Sequence, residues 1–368
     1  GTLISDTRYW TGGTDTVWNT VNGTFEGLNW SPDKSGASVS TFVPGSGTTV
    51  VFSADNAAGG ALVTTLEQGF RINSLEFESS ANTAASVAIN PGVDSSYRLT
   101  IAPSNSAEGI NLKAGGPGSV SISAPLRIDA DQTWTVADLS STLTLSGGLS
   151  GSGALTIDGP GSVIVTNAAT GTFAVPTVLV NNGTLRIEDV GSLGTTIAGN
   201  AAAITINSGA VFYQFGPTNT AATGVNNALT LAGGTLSAGG STSNHYFTGA
   251  VNVTADSFIN LRDSNSALLS ADPTNIILAG AVAGTGRLTV DSNNDLTAGN
   301  QLDGVLYLQN DNSGWSGGFN LQRGTIQTQH LNGFGTGNVT VGSGRIMFNV
   351  AANNTMNLGQ DFTVDSPG

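Results

Sequence analysis

Apolar and polar residues alternate in short runs along most of the chain. The clearest are TVVFS (49–53), SVAIN (86–90), YRLTI (97–101), SVSIS (119–123), TLTLS (142–146), ALTID (154–158), ITIN (204–207), ALTLA (228–232), RLTVD (287–291) and NVTV (338–341). A period of two sends alternate side chains to opposite faces of an extended chain, so each run predicts a strand with one buried and one solvated side. The runs end at Gly, Asn, Asp or Ser, residues that supply turns and positive φ. Helical periodicity is poor, because Ala-rich pieces such as 199–203 are broken by Gly, Asn and Thr before three turns can form.

Repetition narrows the choice among sandwich, barrel and solenoid. SGSGALTIDG (150–159) corresponds to AGTGRLTVDS (283–292), ITINSGAVF (204–212) to VTVGSGRIM (339–347), and NNGTLRIEDVGSLG (181–194) to QRGTIQTQHLNGFG (322–335). A unit of about 135 residues therefore recurs, and each copy contains smaller strand-turn pieces. Nested repeats indicate an architecture in which each rung buries its apolar edge against the next. The predicted fold is all-β: a right-handed parallel β-helix with about 20 to 25 residues per rung. Leu143, Leu145, Leu155, Ile157, Leu185, Ile187, Leu229, Leu231, Leu288 and Val290 should point into a stacked core. Residues 1–60 carry three of the five tryptophans and are predicted as a distinct N-terminal cap. Residues 61–368 form the solenoid, with divergent large repeats at about 143–280 and 281–368, the second incomplete.

Composition agrees. Charged residues are 10% and hydrophobic residues 39% of the 368, so the chain lacks the high charge and low hydrophobicity of disorder. Net charge is −14 with 11 basic residues scattered singly, which argues against nucleic-acid binding and against adhesion to an anionic membrane. The absence of cysteine excludes disulfides, thiolate metal sites and cysteine nucleophiles. Without a stretch of eighteen apolar residues, this segment is not expected to insert into a membrane. DFTVDSPG (361–368) stops mid-rung by pattern, so either the chain continues or its open end stacks on another molecule.

The order of segments adds a resemblance. WTGG…W…NW between Trp10 and Trp30, RINSLEF (71–77), GINLKAGGPGSVSISAPLRIDADQTWTV (109–136), LSGSGALTIDGPGSVIVTNAATGTF…NNGTLRI (149–187) and NSGWSGGFNLQRGTIQTQHLNGFGTGNVTV (312–341) resemble the autotransporter-associated β-strand repeat proteins of bacterial surfaces. The resemblance implies a parallel β-helix in a large exported passenger or stalk, with roles in adhesion, aggregation or surface structure. It implies no shared catalytic residues.

Candidate chemistry is sparse. Gly314-Trp315-Ser316-Gly317-Gly318 matches the G-x-S-x-G pattern, but nothing helical follows, so a turn is expected. His245 and His330 lie in polar, turn-like surroundings and are expected to be exposed and unconnected. Asp291, Asn293 and Asp295 have the first spacings of a calcium loop but lack its glycine and final carboxylate, leaving a weak Ca²⁺ candidate; otherwise no cofactor is expected. Acidic clusters are RIDADQTW (127–134), with Asp129 and Asp131, RIED (186–189), with Glu188 and Asp189, and LRDSN (261–265). Trp10, Trp18 and Trp30 are candidate carbohydrate contacts, the alternative to their role as a cap. Asn22, Asn29, Asn182, Asn252, Asn338 and Asn353 open N-x-S/T triplets and are candidate glycosylation sites.

The reading that follows is a non-enzymatic extracellular protein of the bacterial cell surface. It would be a β-solenoid shaft of an adhesin or a building block of a surface fibre or layer, joined to itself end-to-end or laterally, to other surface components, or to glycans. The alternative is a carbohydrate-binding or polysaccharide-cleaving β-helix.

Overall fold

The computed structural model describes residues 6–21, 28–40, 42–104, 107–170, 173–194, 201–216, 219–240, 244–261, 274–292, 304–350 and 358–365, and among these there is no helix. They gather into two compact units. The first comprises Gly1–Val178, Gly183–Leu185 and Ser192–Gly194; the second comprises Leu179–Asn182, Arg186–Gly191 and Thr195–Gly368.

In the first unit one sheet runs through Trp30–Ser31, Asp6–Trp10, Thr48–Phe52, Ser74–Phe77, Glu108–Leu112, Gln132–Val136 and Leu155–Asp158. A second runs through Gly60–Thr65, Ala84–Asn90, Ser119–Ile122, Thr142–Leu145 and Ser162–Val165. The third has Phe70–Ile72, Leu99–Ile101, Leu126–Ile128 and Leu149–Gly151. From Thr48 onward, consecutive strands belong to different sheets, and each pairs in parallel with a strand of a neighbouring rung, which makes the unit a parallel β-helix. Asp6–Trp10 and Trp30–Ser31 pair antiparallel.

The second unit repeats the plan. One sheet carries Ala203–Asn207, Leu229–Ala232, Val251–Ala255 and Val282–Gly284. Another carries Val211–Phe215, Thr235–Gly239, Ser257–Asn260, Leu288–Asp291, Phe319–Leu321, Val339–Val341 and Phe362–Val364. A third carries Asn244–Phe247, Asn275–Leu278, Val305–Leu308, Thr325–Thr328 and Arg345–Phe348. Cross-rung hydrogen bonds join residues from 20 apart, Gln309 to Gln329, to 32 apart, Arg323 to Asp291. The rungs are thus less uniform than expected, the extra residues lying between strands.

Period-two patterning places the core as expected. Val120 faces Val87 and Leu143, and Ile122 faces Ile89 and Leu145, one residue per rung. All ten predicted inward residues, from Leu143 to Val290, are at most 2% exposed. Full burial of each such side chain stabilises by about 1.5–3 kcal/mol. The recurrent glycines ahead of the strands answer to the neighbouring rung: a Cβ at Gly153 would stand 2.1 Å from the Ala130 carbonyl oxygen, and one at Gly286 would stand 2.4 Å from that of Ala255.

Contacts divide the chain elsewhere than at residue 60. Asp6–Trp10 pairs with Thr48–Phe52, and Val50 in turn with Leu75, so the N-terminal stretch is continuous with the first unit's sheet. The expected repeat boundaries also leave the sheets unbroken: residue 143 lies inside a strand, and Val282 pairs with Val251 across 280.

Candidate functional site

Outward positions are where chemistry could sit. Most of their charged side chains are used in local contacts. Asp129 accepts from Arg71 Nη1 and Arg127 Nε, both at 2.5 Å. Burial pushes its pKa up, but the two guanidinium groups outweigh that and hold it below the usual carboxylate value. Asp131 accepts from the Ala154 amide at 2.8 Å and Asp189 from the Gly191 amide at 2.7 Å. Glu188 pairs with Arg186, whose guanidinium stacks 3.6 Å above the centre of the Phe215 ring. Each of these predicted acids serves as a turn or ion-pair partner. The segment 262–265 of the third cluster lies outside the described residues.

Asp291 meets Arg323 in a two-point ion pair, Oδ1 to Nε and Oδ2 to Nη2, each 2.7 Å. The first carboxylate of the calcium candidate is therefore already bound to a cation from the next rung, while Asn293 and Asp295 lie outside the described residues.

The three indoles, predicted as part of a cap with sugar contact as the alternative, are buried: Trp10 is 2% exposed, Trp18 0% and Trp30 1%. Trp30 stands edge-on to both Trp10 and Trp18, and all three pack on Phe52, which stacks on Phe77 of the next rung. Trp18 Nε1 donates to Thr64 Oγ1 at 3.0 Å, and Trp30 Nε1 donates to the Trp18 carbonyl at 2.9 Å. Trp10 and Trp30 lie at inward positions of strands and Trp18 in a turn folded over them, and no indole face is left for a sugar.

His245, expected at the surface, is fully buried beside Gln214. Asn244–Phe247 is a strand rather than a turn, and its alternation turns His245 inward. His330 lies half-buried in a turn. Ser316 follows the buried Trp315, whose Nε1 donates to the Gly286 carbonyl at 2.9 Å, and a strand rather than a helix comes next; the G-x-S-x-G match is a turn.

Among the N-x-S/T asparagines, Asn182, Asn252 and Asn338 are exposed, and Asn22 and Asn353 lie outside the described residues. Asn29 is fully buried. Its Oδ1 accepts from the Thr14 and Asp15 amides, and its Nδ2 donates to Asp15 Oδ1 and the Val17 carbonyl.

One arrangement has no local sequence signal. Both lysines of the chain converge on one carboxylate: Lys34 Nζ lies 2.9 Å from Glu78, and Lys113 Nζ bridges Glu76 at 2.5 Å and Glu78 at 3.3 Å. Only the register of Ser74–Phe77 with Glu108–Leu112 brings Lys113 there.

Two surface depressions are lined by neutral residues. One, of about 530 Å³, is bounded by residues including Ala203, Ala228, Ala250 and Gly224. The other, of about 280 Å³, is bounded by residues including Thr11, Gly36, Ser38 and Trp30. Neither is lined by an ionisable side chain.

These features define a parallel β-helix protein in which some outward charges join neighbouring rungs and others pair within one strand. The chain is 30% identical over 224 residues to the adhesin BmaC autotransporter of Brucella suis biovar 1 (strain 1330). The match covers 54% of this chain, and the chain spans 6% of that protein's length. No family model matches the chain, and no solved structure matches it.

Proposed function

We propose that the protein is a non-enzymatic, extracellular β-solenoid segment of a bacterial surface adhesin, of the kind found in autotransporter-associated β-strand repeat proteins. The observation that carries this reading is the parallel stacking of rungs over a largely apolar interior, combined with partial similarity to an autotransporter adhesin. Stacked ladders of backbone hydrogen bonds suit a shaft that resists proteolysis and extension. The buried aromatic group around Trp18 and Trp30 suits closure of the coil's N-terminal end.

Self-joining belongs to the same proposal. Backbone groups along a rung's strand edge would pair with a rung of another copy or of another surface component.

The test displays the chain on the surface of a non-adherent bacterium and follows attachment, while the purified chain is incubated with a panel of polysaccharides. Attachment should rise and no reducing or unsaturated sugar ends should appear. Sugar release by the pure protein would overturn the non-enzymatic reading, and unchanged attachment would overturn the adhesin reading.

A further inference from the structure

The third sheet of the first unit concentrates positive charge in a chain of net charge −14. Phe70, Ile72, Leu99, Ile101, Leu126 and Ile128 point inward from it. Alternation then sets Arg71, Thr100 and Arg127 in one outward column, one per rung. Arg98, just before Leu99, is exposed, and its carbonyl accepts the Phe70 amide, which places it beside Gly69. Arg71 and Arg127 stand two rungs apart, about 9.6 Å at a strand spacing of about 4.8 Å.

The stoichiometry of the ion pairs is unusual here. In the other ion-paired groups among the described residues, carboxylates equal cations in number, the two lysines sharing Glu76 and Glu78 included. Here Arg71 and Arg127 share the single carboxylate of Asp129, and Arg98 has no ion pair among the described residues. Asp129 is largely covered, its side chain 18% exposed, while the Arg71 side chain is 51% exposed. The carboxylate thus anchors two guanidinium groups from below and leaves most of their N–H donors facing outward. Flanking acids do not neutralise the three arginines directly: Glu67 accepts from the Val93 amide, Asp94 from the Ser96 amide and Asp131 from the Ala154 amide.

We infer that this face binds an anionic polysaccharide, with Arg71, Arg98 and Arg127 taking carboxylate groups borne by sugars along one extended chain. Arginine suits that chemistry, since its planar fork meets a carboxylate with two parallel hydrogen bonds and stays charged at any physiological pH. The short Thr100 between the two anchored arginines leaves room for an extended polymer across the rungs. A second copy of this chain, itself of net charge −14, is the competing occupant, and self-association is therefore read separately in the test below. The inference goes beyond a structural shaft and is tested on the purified chain, so it can fail while attachment by displayed cells stands.

The probe is polygalacturonate, with neutral dextran as its control, in affinity electrophoresis and titration calorimetry. The chain should be retarded by polygalacturonate and not by dextran, and retardation should fade as salt is raised to about 0.5 M. Substituting R71Q, R98Q and R127Q together should weaken binding by at least about tenfold. Since that variant leaves Asp129 without partners, R98Q alone, which breaks no ion pair, should weaken binding about threefold with unchanged Tm. R287Q, an exposed arginine of the second unit, should bind like the wild type. Equal binding by wild type and triple variant, equal loss in R287Q, or salt-sensitive self-association without polygalacturonate binding would each overturn the inference.

Discussion

Trp134 Nε1 donates a 2.9 Å hydrogen bond to Gln132 Oε1 inside the first unit, where Trp134 is 0% and Gln132 2% exposed. Gln132 Nε2 in turn donates to the carbonyls of Ile101 and Ala130, so a large indole and a buried amide satisfy each other across one strand.

Replacing Gln132 by Leu should therefore cost about 1–3 kcal/mol, because the indole N–H loses its acceptor in a dry interior. The double variant Q132L/W134F should lose less than the sum of the two single changes, a coupling that urea titrations of all four proteins would measure. Strict additivity would mean that the pair is not an energetic unit.

Asn29 predicts a second weak point. Asn29→Ala removes four hydrogen bonds among residues 14–17 and should destabilise the protein by about 2–3 kcal/mol. At the exposed Asn252 the same change should stay within about 0.5 kcal/mol. Thermal unfolding of the two variants would separate these cases.

Acid should weaken the first unit through Asp129 and Asp15. Asp15 is also held below the usual carboxylate value: burial raises its pKa, but the Val17 amide, the Thr20 hydroxyl and the Asn29 amide outweigh burial. A carboxyl whose folded pKa lies below its unfolded one contributes stability above the unfolded value and loses it as pH falls through the folded value. The loss therefore falls below about pH 4. The D129N and D15N variants, already without that contribution at neutral pH, should show a shallower drop in Tm from about pH 5 to about pH 2. Parallel acid limbs in wild type and variants would contradict the assignment.

Calcium should do little. With Asp291 already bound by Arg323, millimolar Ca²⁺ should leave Tm unchanged. A rise in Tm that disappears in D291A would show that the ion displaces the guanidinium.

Strand positions were legible because burial obeys a local rule. Thr142–Leu145 and Leu288–Asp291 fall within a residue of their predicted runs, and the glycine at 153 or 286 recurs because backbone from the next rung passes too close for a Cβ. The site residues were less legible. Trp18 and Trp30 are large aromatics that sequence alone allows either inside or on a sugar-binding surface, and His245 sits in a polar stretch whose strand character is hidden by its neighbours.

The alternation of apolar and polar residues determined an all-β chain and its inward residues, because side-chain direction in a strand follows from the covalent geometry of neighbouring residues, and the nested repeats determined the stacking of one rung on another. Tertiary structure decided which charges meet. Lys34 and Lys113 reach Glu78, and Arg71 and Arg127 share Asp129, only after the coil has set its rung lengths. Those lengths depend on turns and insertions between strands, and a change of one residue there reverses which face a side chain takes.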